Sequence, residues 1–180
     1  MTDELITARL RLRRWRPDDL GALTALFAEP SFSWHPFRRA RSPEEAARFL
    51  EGVRDHWERH GFGRWAVCAR SDGRLLGYAG PAASSWPPVP RGWDIGWRLA
   101  ARARGRGLGG EAAGAAVADC LDRGVRPLVA VVESGNDASL RMCHRLGMRE
   151  LDTRTHPAFG TAHTVFVLAD DRPLRRRDAK

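Results

Sequence analysis

Apolar and polar positions alternate along this chain with two different periods. Between residues 7 and 15, Leu10, Leu12 and then Trp15 stand among arginines, and this near-alternation predicts a half-exposed first strand. Pro17-Asp18-Asp19 predicts a helix start, because a first turn accepts proline and favours acids. Leu20, Leu23, Ala25, Leu26 and Phe27 would form the apolar face of that helix. Residues 29–41 read as an aromatic loop. Ser42-Pro43-Glu44-Glu45 has the cap, the first-position proline and the third-position glutamate of a capping box. A second helix is predicted from there to His60, with Gly61 placed to stop it.

Beyond Gly61 the period changes to two. Strands are predicted over 64–70 and 75–80, joined at Ser71-Asp72-Gly73, a hairpin signal. A proline-rich loop covers 84–90. In 92–100, Trp93, Ile95, Trp97 and Leu99 alternate with Asp94, Gly96 and Arg98, which predicts another strand. A basic glycine-rich turn and an alanine-rich helix over 109–123 follow. Residues 128–133 are a continuous apolar run, as in a central strand covered on both faces. A short helix over 138–146 is stopped by Gly147, and 150–154 with 163–168 form a last strand pair. The order β-α-α-β-β-β-α-β-α-β-β predicts an α/β fold, a single mixed sheet with helices on both faces. One domain is expected over 1–169, with a charged, disordered tail over 170–180.

Composition narrows the class. A chain of 180 residues buries enough surface to fold without disulfides or metals. Cys68, Cys120 and Cys143 are odd in number and not at metal-ligand spacing, so buried thiols in a reducing compartment are expected, and no metal. No secretory signal and no apolar run of about 20 residues is apparent, which reads as a cytoplasmic protein without a membrane partner. The net charge of +8 raises a nucleic-acid partner, but Lys180 is the only lysine and the arginines are dispersed. A generally basic surface that attracts acidic ligands is the better reading. Monomer and homodimer are both compatible with the pattern.

The candidate chemistry centres on Arg104-Gly105-Arg106-Gly107-Leu108-Gly109-Gly110-Glu111, between a strand and a helix. Glycines let backbone approach a ligand, successive N–H groups point inward, and the helix N-terminus adds about half a positive charge. This predicts a pyrophosphate cradle, with Arg104 and Arg106 adding charge-assisted hydrogen bonds. Gly105-x-Gly107-x-x-Gly110 also fits a dinucleotide fingerprint, with Glu133 as the ribose acid. Against that, polar residues 100–104 separate the turn from its strand, and too little chain follows Glu133 for a second nucleotide-binding half.

At this turn the sequence resembles the GNAT acyltransferases. Arg104-Gly105-Arg106-Gly107-Leu108-Gly109 matches their Arg/Gln-x-x-Gly-x-Gly/Ala motif. Asn136-Asp137-Ala138-Ser139 ahead of Leu146-Gly147-Met148, and Trp93-Asp94-Ile95-Gly96-Trp97 upstream, match further family elements in order. The stretches 7–13 and 56–67 look like the branch that includes ribosomal-protein N-terminal acetyltransferases, and the resemblance covers residues 5–168. It implies a GNAT fold, a sheet splayed between its fourth and fifth strands (92–100 and 128–133), with acetyl-CoA in the V. The pyrophosphate would sit on residues 104–110, and the pantetheine would run along Trp97, Arg98 and Leu99. Asn136 would hold the pantetheine arm, with Ser139 and Cys143 near the thioester. A primary amine would attack the thioester directly.

Within that frame Asp94, a polar residue on an apolar strand, resembles the family's acidic base; as an aspartate it is a weak base unless burial raises its pKa. The other reading of Asp94 is an acid paired with a nearby arginine. The tyrosine acid of many members is replaced by Cys143, which leaves Ser139 as the candidate donor on the sulfur side; packing in the core is the competing role for Cys143. His144 reads as solvated. Trp34, His35 and Phe37 are candidate acceptor-pocket residues, as are the loop at Trp86 and residues 154–163. Three alternatives stand beside N-acetyl transfer: a non-catalytic acyl-CoA-binding sensory domain, a transferase using succinyl-CoA, and an arginine-rich nucleic-acid binder.

Overall fold

A short strand that the apolar pattern does not announce begins the fold. β1 (Glu4–Ile6) pairs antiparallel with β2 (Leu10–Arg13), Leu5 opposite Leu12. The single strand expected over 7–15 is shortened to Leu10–Arg13, because residues 7–9 form a turn in which the Thr7 N–H donates to the Leu10 carbonyl at 2.9 Å. Ile6 is more than half exposed, so β1 leaves no alternating signature. The computed structural model describes residues 3–30, 32, 39–83 and 92–168.

After β2, a 3-10 turn at Pro17–Asp19 leads into α1 (Leu20–Ala28). Leu23, Leu26 and Phe27 are its buried face; Leu20 and Ala25 are exposed, contrary to the expected stripe. Asp19 is buried and takes two bonds from the Arg13 guanidinium, at 2.7 and 2.8 Å, and one from the Arg16 N–H at 2.7 Å. α2 (Pro43–His60) starts at the expected box: Ser42 accepts from the Glu45 N–H, and the Glu45 carboxylate accepts from the Ser42 N–H. Gly61, at φ 73°, ends it.

β3 (Trp65–Ala69) and β4 (Leu75–Ala83) form the expected hairpin, β4 running three residues further than the pattern indicated. β5 (Trp93–Leu99), α3 (Leu108–Asp122), β6 (Leu128–Glu133), α4 (Asp137–Arg145), β7 (Arg149–Thr155) and β8 (Ala162–Leu168) complete the order. All eight strands join one mixed sheet, β1-β2-β3-β4-β5-β6-β8-β7, in which only β5 and β6 pair in parallel.

Alternation along the strands separates two cores. Trp65, Val67, Ile95 and Leu99 pack with α3 residues such as Ala112, Ala116 and Val117. Ala66, Cys68 and Tyr78 pack with Leu23, Phe27 and Leu50 on the α1–α2 face. On β5, Asp94, Gly96 and Arg98 thus look to the α1–α2 face, opposite Ala82, Gly80 and Tyr78 of β4. Among the described residues, no helix is long and apolar enough to cross a membrane. The tail expected from residue 170 lies outside the described residues.

Candidate active site

The parallel pair holds for only two residues, Trp93 opposite Leu128 and Asp94 opposite Val129. Beyond Asp94 the strands part, although β5 stays paired to β4 along its whole length. One edge of β5, from Ile95 onward, therefore turns its backbone groups into a cleft of about 1370 Å³. The cleft runs between β5 and β6, past the glycine turn, to α4 and on to the α1–α2 face. It exceeds the ~300–1,000 Å³ of ordinary small-molecule sites. A cleft this long suits an extended ligand.

Its floor at one end is the glycine turn. Gly105 and Gly107 both take left-handed backbone, φ 71° and 76°, which side-chain-bearing residues adopt at a cost of roughly 1–2 kcal/mol. Gly107 caps α3 without any side chain, so the first N–H groups of the helix are left facing the turn. Gly105, Gly107, Gly109 and Gly110 line the cleft, as does Arg104, whose Nε donates to the Leu99 carbonyl at 2.9 Å. Two residues expected in the cradle contribute no side chain to it. Leu108 is buried in the core below α3, and Arg106 does not line the cleft.

The turn is held from behind by the β1–β2 turn, a contact the sequence did not announce. Glu111 accepts from the Thr7 hydroxyl at 2.5 Å, the Arg9 N–H at 2.8 Å and Arg9 Nε at 2.7 Å. The Arg9 guanidinium also donates to the Arg106 carbonyl at 2.8 Å. Burial opposes ionisation of Glu111, but these donors hold its carboxyl below the usual range. The β1–β2 turn thus clamps the glycine turn through one carboxylate. In the sequence Glu111 closed the glycine motif and residues 7–13 belonged to the family resemblance, but nothing there joined the two.

Asp94 sits where β5 and β6 separate. Its carboxylate is 3.2 Å from Arg64, with about a quarter of its side chain exposed, so it both pairs with an arginine and lines the cleft. Burial pushes its carboxyl above the usual range, with Arg64 pulling the other way. Across the cleft, the Asn136 side chain caps α4 by accepting from the Ser139 N–H at 3.3 Å. Asn136, Ser139 and Met142 line the cleft. The Ser139 hydroxyl makes no hydrogen bond to the described residues. Cys143 is a correction: it is fully buried in the α3-side core, off the cleft, and burial pushes its thiol up to about 12. His144 lies off the cleft and mostly exposed, 3.3 Å from Glu150.

Trp97, Arg98 and Leu99 line the cleft along the open edge of β5. Trp34, His35, Phe37 and the loop at Trp86 lie outside the described residues. The α1–α2 end of the cleft carries Phe32, the first residue of the loop expected to shape acceptor choice, together with Arg41, Phe49 and Tyr78, which the sequence pattern did not single out; the far end carries Glu133, His156 and His163. Tyr78 is the only tyrosine of the chain, and Arg64 lies 5.3 Å from its ring.

Comparison with known proteins agrees with this geometry. The model of a family described as acetyltransferase (GNAT) domain matches residues 9–149. The structure is similar to a GNAT-family acetyltransferase of Bordetella pertussis, with 24% identity over 93% of this chain and 100% of that one, at a TM-score of 0.81. It is similar to RimL, a ribosomal alpha-N-protein acetyltransferase solved with coenzyme A, with 17% identity, 93% and 97% coverage and a TM-score of 0.78. A ribosomal-protein-alanine acetyltransferase of Vibrio fischeri gives 13% identity, 94% and 98% coverage and a TM-score of 0.78. At these identities the three structures share its fold.

Proposed function

The chain belongs to the GNAT acetyltransferases, and from that premise we propose that it transfers the acetyl group of acetyl-CoA directly to a primary amine. The observation that carries this reading is the parting of β5 and β6 immediately after Asp94, beside the glycine turn. The residues fit such a donor. Left-handed glycines and the uncapped start of α3 suit a pyrophosphate. The open edge of β5 suits the amide groups of a pantetheine, in the manner of an added strand. Asn136 and Ser139 face that edge from α4.

In this mechanism Asp94 takes the proton from the attacking ammonium, directly or through water. A C–N bond forms to the acetyl carbon, giving a tetrahedral intermediate whose oxyanion is met by N–H groups of the β5 edge. The C–S bond then breaks as the nitrogen gives up its second proton, through water, to the departing thiolate, and the Ser139 hydroxyl donates a hydrogen bond to that sulfur. The raised pKa of Asp94 suits a base that works near neutrality better than an exposed aspartate would.

The test is a thermal melt with acetyl-CoA and, separately, with NAD, followed by thiol release in the presence of amines. At 100 times Kd, acetyl-CoA adds about 2.7 kcal/mol. That is a rise of roughly 5–11 °C for a domain of this size. A rise with NAD alone would reassign the glycine turn to a dinucleotide. A rise with acetyl-CoA and no thiol release with any amine would favour the acyl-CoA-binding domain without turnover.

A further inference from the structure

Arg64, just ahead of β3, is held at both ends, backbone and guanidinium. Its carbonyl accepts from two buried indoles, Trp15 Nε1 and Trp57 Nε1, each at 3.0 Å. Trp15 follows β2 and Trp57 lies on α2, so two separate elements fix one carbonyl. From a third side β4 presses close: a Cβ on Gly80 would stand 2.5 Å from the Gly63 carbonyl oxygen and 2.9 Å from the Arg64 Cα. The backbone at residue 64 therefore has little room to move.

The guanidinium crosses Gly96, its Nη2 3.4 Å from where a Cβ would stand there, and reaches Asp94. Nη2 donates to Asp94 Oδ2 at 3.2 Å. Arg64 Nε is enclosed and makes no hydrogen bond to the described residues. One single-pronged contact and one enclosed, unsatisfied N–H make this side chain a poor stabiliser of the fold. What it does is hold one carboxylate oxygen. Asp94 Oδ1 makes no hydrogen bond to the described residues, and the exposed quarter of the side chain opens on the cleft. The terminal torsion of an aspartate is broad and roughly two-fold, so without a partner the carboxylate would not keep one oxygen on the cleft. Arg64 also offsets the burial that opposes ionisation of Asp94, and the Cys143 thiol, pushed up to about 12, adds no charge from α4.

Resting on the reading of Asp94 as the base in amine acetylation, we propose that Arg64 is a positioning residue: anchored by Trp15 and Trp57, it binds Asp94 Oδ2 and presents Oδ1 to the acceptor ammonium. The ammonium N–H donates to Oδ1, and its proton passes to that oxygen, freeing the nitrogen lone pair for the C–N bond. The proton returns to water after the product leaves. Arg64 keeps its contact to Oδ2 and touches neither acceptor nor acyl donor. Because the anchor is a backbone carbonyl, the two indoles act on kcat from outside the cleft, which neither of them lines.

The experiment is steady-state thiol release by the full chain over a pH series. Spermidine, a short peptide with a free N-terminus and an aminoglycoside are screened as acceptors, and the one turned over fastest is carried forward. Arg64→Met is expected to lower kcat on the high-pH plateau by about ten- to hundredfold, as misplacement of a reacting group does. The KM for acetyl-CoA and the acetyl-CoA melt shift should stay as in the wild type. The acid limb should move to higher pH. Arg64→Lys should recover part of the plateau, and millimolar guanidinium should recover part of it in Arg64→Ala. Trp15→Phe keeps the ring and removes one N–H, so its plateau should fall about two- to tenfold, the worth of one hydrogen bond. If Arg64→Met does not fold, Arg64→Lys and Trp15→Phe carry the test.

A plateau kcat unchanged in the variants overturns this proposal and leaves amine acetylation standing. So does a limb that moves while the plateau holds, which would make Arg64 a charge partner alone. A plateau lost together with the acetyl-CoA melt shift would place Arg64 in the donor site, and a loss that neither lysine nor guanidinium repairs would assign it to the fold; either overturns the positioning role. Full activity of Asp94→Asn removes the base and this proposal with it. A wild type that acetylates none of the amines removes the parent reading and this one together.

Discussion

Asp94 joins stability and function in one side chain. Its carboxyl is raised by burial, so ionisation costs the folded state something at neutral pH. The sign is that of a group whose folded pKa exceeds its unfolded one: its unfavourable contribution grows as pH rises through the folded value. Asp94→Asn is therefore expected to raise Tm slightly at pH 7 while lowering kcat by 10²-fold or more, roughly the contribution of a positioned base. The acid limb of the wild-type kcat profile should vanish in the variant. An unchanged kcat would remove Asp94 from the mechanism. Arg64→Gln removes the group that opposes the rise, so the same limb should move to higher pH. Ser139→Ala should cost about 10- to 100-fold in kcat, the value of a hydrogen bond to a charged group; full activity would exclude the hydroxyl. Cys143→Ala leaves the cleft unaltered and is expected to act on stability alone, because the thiol is enclosed in the core.

At the scale of elements, α3 contains glycines of opposite meaning. Gly107 caps the helix at φ 76°, and a Cβ there would stand 3.4 Å from the Arg9 guanidinium. Gly107→Ala should cost about 1–2 kcal/mol and raise the KM for acetyl-CoA, measured by denaturation and by steady-state kinetics. Gly114 lies inside the same helix with open space around its Cβ position. Gly114→Ala should stabilise by about 0.5–1 kcal/mol with kinetics unchanged. The glycine turn owes its placement to the β1–β2 turn, through Arg9 and Glu111. Glu111→Gln weakens that clamp, so a higher acetyl-CoA KM with little change in acceptor KM is the expected signature.

The molecule as a whole is built to resist neutral and basic pH better than acid. His56 is buried between His60, Phe62 and Trp93, and burial first, then His60, pushes its pKa down to about 4. The unfolded chain takes up that proton at about 6.5, so stability present above pH 6.5 is lost as pH falls towards 4, by about 3 kcal/mol in all. Asp19 adds a second loss at lower pH. Burial opposes its ionisation, yet Arg13 and the Arg16 N–H hold its carboxyl below the usual range, so its contribution disappears as pH falls through that depressed value. Denaturant melts between pH 7 and 4 should show the first decline, and His56→Phe should flatten it. A curve of the same slope in the variant would assign the decline to other groups.

Much of this architecture is local, and local structure was legible in the sequence. The Ser42 box, the stop at Gly61, the alternation in β5 and the apolar run of β6 need only near neighbours and burial to be read. The same holds for the glycine turn, because left-handed backbone and an exposed helix start are demands a short motif can meet by itself. Three things required the tertiary structure. β1 depends on partners supplied by β2, and its exposed Ile6 carries no pattern. The side chain of Leu108 turns into the core because α3 is rotated by the packing of its other face, which a motif match does not contain, whereas the burial of Cys143 was legible from its place on a helix face. Arg41, Arg64 and Arg98 reach one cleft from a loop, a strand approach and a strand. Their separation along the chain hides what the folded sheet brings together, since charge adds through space and not along the sequence.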